Sequence, residues 1–224
     1  LAIKPSWMNR NKQKADYEGW VSHSQEHNGY FLDPANPEVT TFLLKLIGEI
    51  SAKYNIDGFN VDYVRYPNIA KENYSNQWGY TKYAREEFIS IYEIDPIELN
   101  KNSDLWENWC DYRSEKITSY IKKVSELLKN RNIMFSAVIF PDYKVSLKTK
   151  FQDWTNWAQN DYVDAFTPLI LTSDDDLSKS MLEDIKRKSD NVKIYPGLFA
   201  GFIESDPEDL LRQIHIVRRL KMRS

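Results

Sequence analysis

The chain has 224 residues, 42% of them hydrophobic and 28% charged, which is the length and composition of one ordinary globular domain. A formal net charge of -3 leaves no basic footprint, so the sequence predicts no nucleic-acid partner. No apolar run approaches the roughly 18 residues of a membrane span, and the single cysteine, Cys110, excludes an intrachain disulfide and a cysteine metal cluster.

The first half of the chain predicts a helix followed by a buried strand. Asn36 can cap a helix that has Pro37 and Glu38 in its first turn, and apolar residues at helical spacing extend that helix to about residue 54. Residues 56–66 form a short apolar segment that is typical of a parallel strand covered on both faces. A loop over 68–79 and helices over about 80–92 and 104–129 are expected next.

The second half repeats a strand and a helix about every thirty residues, which is typical of successive βαβ units. Strands are predicted at 133–140, 163–171 and 192–200, and helices at 154–159, 177–188 and 207–220. Residues 1–7 are a further candidate strand. Five strands are too few to close an eight-stranded barrel. We therefore expect one domain over residues 1–224, an incomplete barrel whose open sheet edges are covered by missing strands or a partner chain.

Several segments resemble the family 10 glycosyl-hydrolase-like proteins, and they occur in the family's order along almost the whole chain. The segments are 31–34, 36–39, 57–67, 135–141, 152–154 with Trp157, and more weakly 162–168 and 195–198. The resemblance implies an α/β fold of the (β/α)8 TIM-barrel type with about strands 3 to 7 present. It also implies a glycosidase that hydrolyses O-glycosyl bonds of a polysaccharide, secreted or in the bacterial cell envelope. Leu169 departs from the pattern, because the family usually carries a tyrosine at about this place.

Carboxylates at the carboxyl ends of strands are the candidate catalytic groups, because glycoside hydrolysis needs two carboxyl groups that flank the scissile bond. Asp62 is predicted as nucleophile or base, with a structural ion pair to Arg65 as the alternative. Asp142 is predicted as the general acid, with plain solvation in a loop as the alternative. Asp174 and Glu204 also follow strands.

Other acidic residues are expected to stabilise the fold. Asp57 and Asp164 precede their strands and belong on the opposite face of a barrel. Residues on that face stabilise the fold and do not take part in catalysis. Asp153 stands at a helix start, where an N-cap is the expected role.

Four residues are predicted to bind substrate. Arg65 and Tyr66 lie at the carboxyl end of the strand that carries Asp62, and Trp7 ends the first candidate strand. Glu204 follows the last strand. Aromatic rings such as those of Tyr66 and Trp7 can stack on sugars, whereas Trp106 and Trp109 are expected on the core face of a helix.

Two other functions compete with glycoside hydrolysis. The first is a non-catalytic glycan-binding module that keeps the barrel and an aromatic cleft. The second is an inverted zinc peptidase, because residues 23–27 fit its H-x-x-E-H pattern, with His23 and His27 as ligands and Glu26 as base. The helix available there is about two turns long and a third ligand would be needed. The sequence therefore predicts no metal and no cofactor.

Overall fold

A computed structural model describes residues 21–24, 29–66, 78–198 and 207–222 of the chain. The first elements are two antiparallel strands, β1 (Val21–Ser24) and β2 (Gly29–Leu32), paired with Val21 opposite Leu32. This hairpin was not expected from the sequence. It places His23 in a strand, whereas the zinc-peptidase pattern needs that histidine on a helix.

The main sheet is parallel, as the repeat of strand and helix predicts. Its strands are β3 (Gly58–Val61), β4 (Met134–Ile139), β5 (Ala165–Ile170) and β6 (Lys193–Ile194), in that spatial order. A further strand, β7 (Gly197–Leu198), also pairs with β5. The parallel α/β prediction is confirmed, while the candidate strand over residues 1–7 lies outside the described residues.

The strands β6 and β7 are two parts of one predicted strand, separated by Tyr195 and Pro196. Ala165 pairs with Lys193, and Leu169 pairs with Gly197, so the same offset places Pro168 opposite Pro196. Proline has no N–H group to donate to a ladder. The predicted strand over 192–200 is therefore interrupted within its described part.

Seven helices lie along the described part of the chain, and they agree closely with the predicted ones. They are α1 (Pro37–Lys53), α2 (Lys82–Tyr92), α3 (Trp106–Lys129), α4 (Tyr143–Val145), α5 (Trp154–Gln159), α6 (Asp175–Lys188) and α7 (Pro207–Arg219). Asn36 caps α1 as predicted, because its Oδ1 accepts the Glu38 N–H at 2.9 Å. The single-turn α4 and the π-helical turn Ser146–Lys150 after it were not predicted.

The long helix α3 packs against β4, α1 and α5, and α6 packs against α7. Aromatic side chains fill much of the core: Trp154, Trp157 and Phe166 are fully buried beside the sheet, and Trp109 packs with Phe88 in a second cluster. The predicted core role of Trp109 is thereby confirmed. Within the described residues, every helix is too short or too polar to cross a lipid bilayer.

Candidate active site

The chain turns sharply after β3, and this turn presents the predicted nucleophile. Asp62 is the first residue after the strand, and its Oδ1 accepts the Tyr63 N–H at 2.6 Å. Tyr63 adopts a φ of 54°, and the Arg65 N–H donates to the Tyr63 carbonyl at 2.9 Å. The predicted strand over 56–66 is therefore wrong beyond Val61, because residues 62–66 form a turn. Asp62 and Tyr63 are exposed on its outer side.

Arg65 lies half-buried between two aromatic rings. Its guanidinium carbon is 4.8 Å from the centroid of the Tyr63 ring and 5.0 Å from that of Phe140, the residue that follows β4. Burial lowers the pKa of Arg65, and the nearby Tyr63 and Asp62 partly oppose that change. Among the described residues, Arg65 makes no salt bridge within 4.0 Å. Asp62 and Arg65 therefore do not form the structural ion pair that was the alternative role of Asp62.

Gln152 joins the turn to the end of β4. Its side chain is 1% exposed, and its amide nitrogen donates to the carbonyls of Val64 and Val138, each at 3.1 Å. Its amide oxygen accepts the Phe140 N–H at 3.2 Å and the Ser146 hydroxyl at 3.3 Å. Sequence reasoning assigned no role to Gln152. The only signal for it was its place in one of the segments that carry the family resemblance.

Lys150 also borders the turn. Its carbonyl accepts the Tyr66 N–H at 3.1 Å, and its ammonium nitrogen lies 4.8 Å from the centroid of the Phe140 ring. Burial and the neighbouring charge of Arg65 lower the pKa of Lys150 to about 8. Lys150 and Arg65 thus place two positive charges beside the same ring.

Tyr66 points into the protein, although it was predicted to bind substrate. It is 2% exposed, and its hydroxyl donates to Asp33 Oδ1 at 3.0 Å. Asp33 is fully buried and also accepts the Thr81 hydroxyl at 2.7 Å and the Ala35 N–H at 3.0 Å. Burial raises the pKa of Asp33 and that of Tyr66. In this conformation Tyr66 supports the turn from below and does not face a substrate.

Asp142, the predicted general acid, follows β4 at the same edge of the sheet as Asp62. It is exposed, and its Oδ1 caps α4 by accepting the Val145 N–H at 2.9 Å. The carboxyl ends of adjacent parallel strands meet at one edge of a sheet, and β3 pairs directly with β4. The two predicted acids therefore belong to one edge.

Polar side chains also line the inner face of the sheet below Asp62. Asn60 Oδ1 accepts the Ser136 hydroxyl at 2.8 Å and the Thr167 hydroxyl at 3.3 Å. Asn60 is two residues before Asp62. This row of polar side chains across β3, β4 and β5 therefore lies next to the turn that carries Asp62.

The remaining acidic candidates have structural contacts. Asp153 caps α5 as predicted, with its Oδ1 accepting the Asn156 N–H at 3.3 Å. Asp174 caps α6 through the Asp176 and Leu177 N–H groups at 2.9 and 3.0 Å.

At the opposite face, Asp164 accepts the Phe135 N–H at 2.7 Å, so it holds the start of β4 and agrees with its predicted stabilising role.

Trp7 and Glu204, both predicted to bind substrate, lie outside the described residues. Trp78 is buried in the core. The described residues contain no group of three or more histidine, cysteine or acidic side chains arranged to hold a metal ion.

The sequence model of the glycosyl hydrolase-like 10 family matches residues 2–205. Glycosyl hydrolase YngK of Bacillus subtilis (strain 168) is 24% identical over an alignment of 227 positions, which includes 87% of this chain and 41% of that protein. An S-layer-related protein of Niallia circulans is 29% identical over 108 residues, covering 43% of this chain and 6% of that protein. The chain spans less than half the length of either relative.

Two solved structures share the fold. The glycoside hydrolase domain of PgaB (BpsB) from Bordetella bronchiseptica has a TM-score of 0.62 at 13% identity, over 84% of this chain and 56% of that one. The catalytic domain of a beta-amylase from Paenibacillus polymyxa has a TM-score of 0.64 at 12% identity, over 96% of this chain and 68% of that one. These likenesses concern the fold, and they confirm the predicted TIM-barrel type.

Proposed function

Because the chain belongs to the glycosyl hydrolase-like 10 family, we propose that it hydrolyses glycosidic bonds of a polysaccharide at the carboxyl edge of β3 and β4. One observation carries the assignment to this edge: Asp62 is exposed directly after β3, beside the half-buried guanidinium of Arg65. Barrel enzymes keep their catalytic groups at this end of the strands.

In the proposed reaction Asp142 donates a proton to the glycosidic oxygen as the bond to the anomeric carbon breaks. Asp62 either attacks the anomeric carbon or removes a proton from the attacking water. Each carboxylate uses Oδ1 to accept a backbone N–H, and among the described residues neither Oδ2 is engaged in a hydrogen bond. The backbone contact orients each carboxylate, while its second oxygen stays available for the reaction.

Neighbouring side chains would hold the sugar. The exposed ring of Tyr63 offers an apolar face beside Arg65, and rings of this kind stack on sugars. Arg65 would donate hydrogen bonds from its planar fork. Trp7 and Glu204 remain proposed contacts on the strength of the sequence, while Tyr66 is now assigned to support of the turn.

We also propose that the polysaccharide belongs to the bacterial cell envelope and that the chain acts there or after secretion. The support is the partial match to an S-layer-related protein.

The assay measures reducing ends released from a panel of envelope and plant polysaccharides. We expect Asp62→Asn and Asp142→Asn each to lower the rate by about 10²–10⁴-fold, which is the usual contribution of one positioned acid or base. Asp57→Asn is the matched control, because Asp57 is an exposed aspartate at the opposite end of β3. Its rate should equal that of the parent, and cleavage by Asp62→Asn at the parent rate would refute the assignment of Asp62.

The same panel tests the non-catalytic alternative. A glycan-binding module would retain polysaccharide in affinity electrophoresis without releasing reducing ends. If the parent chain binds a glycan that it does not cleave, that alternative replaces the proposed activity.

A further inference from the structure

We propose that Lys150 and Arg65 form an anion subsite at the carboxyl edge of the sheet, and that this subsite binds a carboxylate carried by an acidic glycan. The inference rests on the proposed function, because it names the class of substrate that Asp62 would meet. It does not require that the bond be cleaved.

The first observation is that the charge of Lys150 lacks a partner in the part of the chain that the structure describes. The residue is only 5% exposed, yet among the described residues its ammonium group makes no hydrogen bond or salt bridge, and it lies 4.8 Å from the centroid of the Phe140 ring. A buried charge without a partner is costly. The nitrogen is not sealed off, unlike the unpaired indole nitrogen of Trp154. An anion that arrives from solvent could therefore reach it.

The second observation is that Arg65 adds another cation beside the same ring. Its guanidinium lies 5.0 Å from the Phe140 centroid, and its side chain makes one long hydrogen bond, from Nη1 to the Tyr66 carbonyl at 3.4 Å. The other guanidinium N–H groups are not used in hydrogen bonds among the described residues. A planar guanidinium with unused donors matches the two oxygens of a carboxylate.

Lys150 and Arg65 lie beside the proposed catalytic turn, so an anion bound between them would belong to the substrate and not to a remote ligand. Lys150 is fixed against the turn because its carbonyl accepts the Tyr66 N–H at 3.1 Å, and Arg65 is three residues after Asp62. Among the described residues, Asp62 is the carboxylate whose charge acts on Arg65, and the charge that acts on Lys150 is that of Arg65. Two cations thus stand beside one carboxylate, and the local charge remains positive. A neutral sugar would leave that charge unbalanced, whereas a carboxylate on the sugar would balance it.

The titration of Lys150 provides a direct readout. Burial and the charge of Arg65 lower its pKa to about 8 in the free chain. A bound carboxylate favours the charged amine, so it should raise this pKa again.

The experiment uses the complete chain with 13C-labelled lysine, and the probes are glucuronate and glucose, which differ in the carboxylate. The Lys150 signal is assigned by its absence in Lys150→Met. We expect glucuronate to shift this signal in a saturable manner and to raise the pKa of Lys150, and we expect glucose to do neither. Absence of a shift with glucuronate, or an equal shift with glucose, would overturn the subsite.

A second variant, Arg65→Met, and a control, Lys148→Met, complete the test. Isothermal titration calorimetry of Arg65→Met should show glucuronate binding weakened by about tenfold, as expected for the loss of one charge-assisted contact. This measurement needs no assigned lysine signal, so it remains informative if Lys150→Met does not fold. Lys148→Met removes an exposed lysine from the same π-helical turn and should leave binding unchanged. Unchanged binding in Arg65→Met would also overturn the proposal. Because binding is measured without cleavage, an inactive chain that still binds glucuronate would count against the proposed activity alone.

Discussion

Consecutive residues of the turn after β3 lie in different environments. Asp62 and Tyr63 are exposed, Val64 and Tyr66 are buried, and Arg65 lies between them. An extended strand would have alternated these side chains between two faces. The positive φ of Tyr63 breaks that alternation. The sequence could therefore place Asp62 at the end of a strand, but it could not show that Tyr66 turns inward.

Asp33 is the acceptor that fixes Tyr66, and this role makes the stability of the protein depend on pH. Burial raises the pKa of Asp33 above its ordinary value of 3.8, so the folded protein holds a proton that the unfolded chain releases. As the pH rises from 3.8 through the raised value, the free energy of unfolding of the parent should fall relative to that of Asp33→Asn. Urea unfolding of both proteins from acid to neutral pH measures the difference. A difference that stays constant or grows with pH would contradict this role.

At the scale of elements, the site depends on loops that a single side chain connects. Gln152 contacts the turn after β3, the backbone of β4 and the π-helical turn. Glycine makes the approach of another loop possible: at Gly79, with a φ of 83°, an added Cβ would lie 2.9 Å from the Tyr66 ring and 3.1 Å from Arg113. The site is thus built from local packing of loops on regular strands.

We expect Gln152→Ala to destabilise the protein by about 3 kcal/mol or more, because each buried group that loses its partner costs about 1–3 kcal/mol. Gln152→Glu should also destabilise it, since a carboxylate oxygen would then face the Val64 and Val138 carbonyls. Unfolding by denaturant measures both changes. Gln159→Ala, at the exposed end of α5, is the control and should differ little from the parent. Parent-like stability of Gln152→Glu would show that the hydrogen bonds of the amide nitrogen contribute little.

At the scale of the whole molecule, the sequence predicted the parallel sheet and most helices, because long periodic segments and capping residues such as Asn36 report local structure. It did not predict the β1–β2 hairpin, since the H-x-x-E-H pattern in this segment is typical of a helix. The buried roles of Asp33 and Gln152 were also missed. Each depends on partners far away in the chain, and single-sequence periodicity contains no information on such contacts.

The two facing prolines of the last strand pair divide the sheet into parts that can open independently. The Tyr195 N–H donates to the Phe166 carbonyl at 2.9 Å, and the next hydrogen bond of a parallel ladder would run from residue 168 to the Tyr195 carbonyl. Pro168 has no amide hydrogen to donate, so the ladder lacks this hydrogen bond between β6 and β7. Amide hydrogen exchange reports such local opening. We expect the amides of Tyr195 and Gly197, which lie on either side of the missing hydrogen bond, to exchange at clearly different rates under native conditions, and equal rates would indicate one continuous strand. The sheet would then open at β7, near its carboxyl edge, while β6 stays paired with β5.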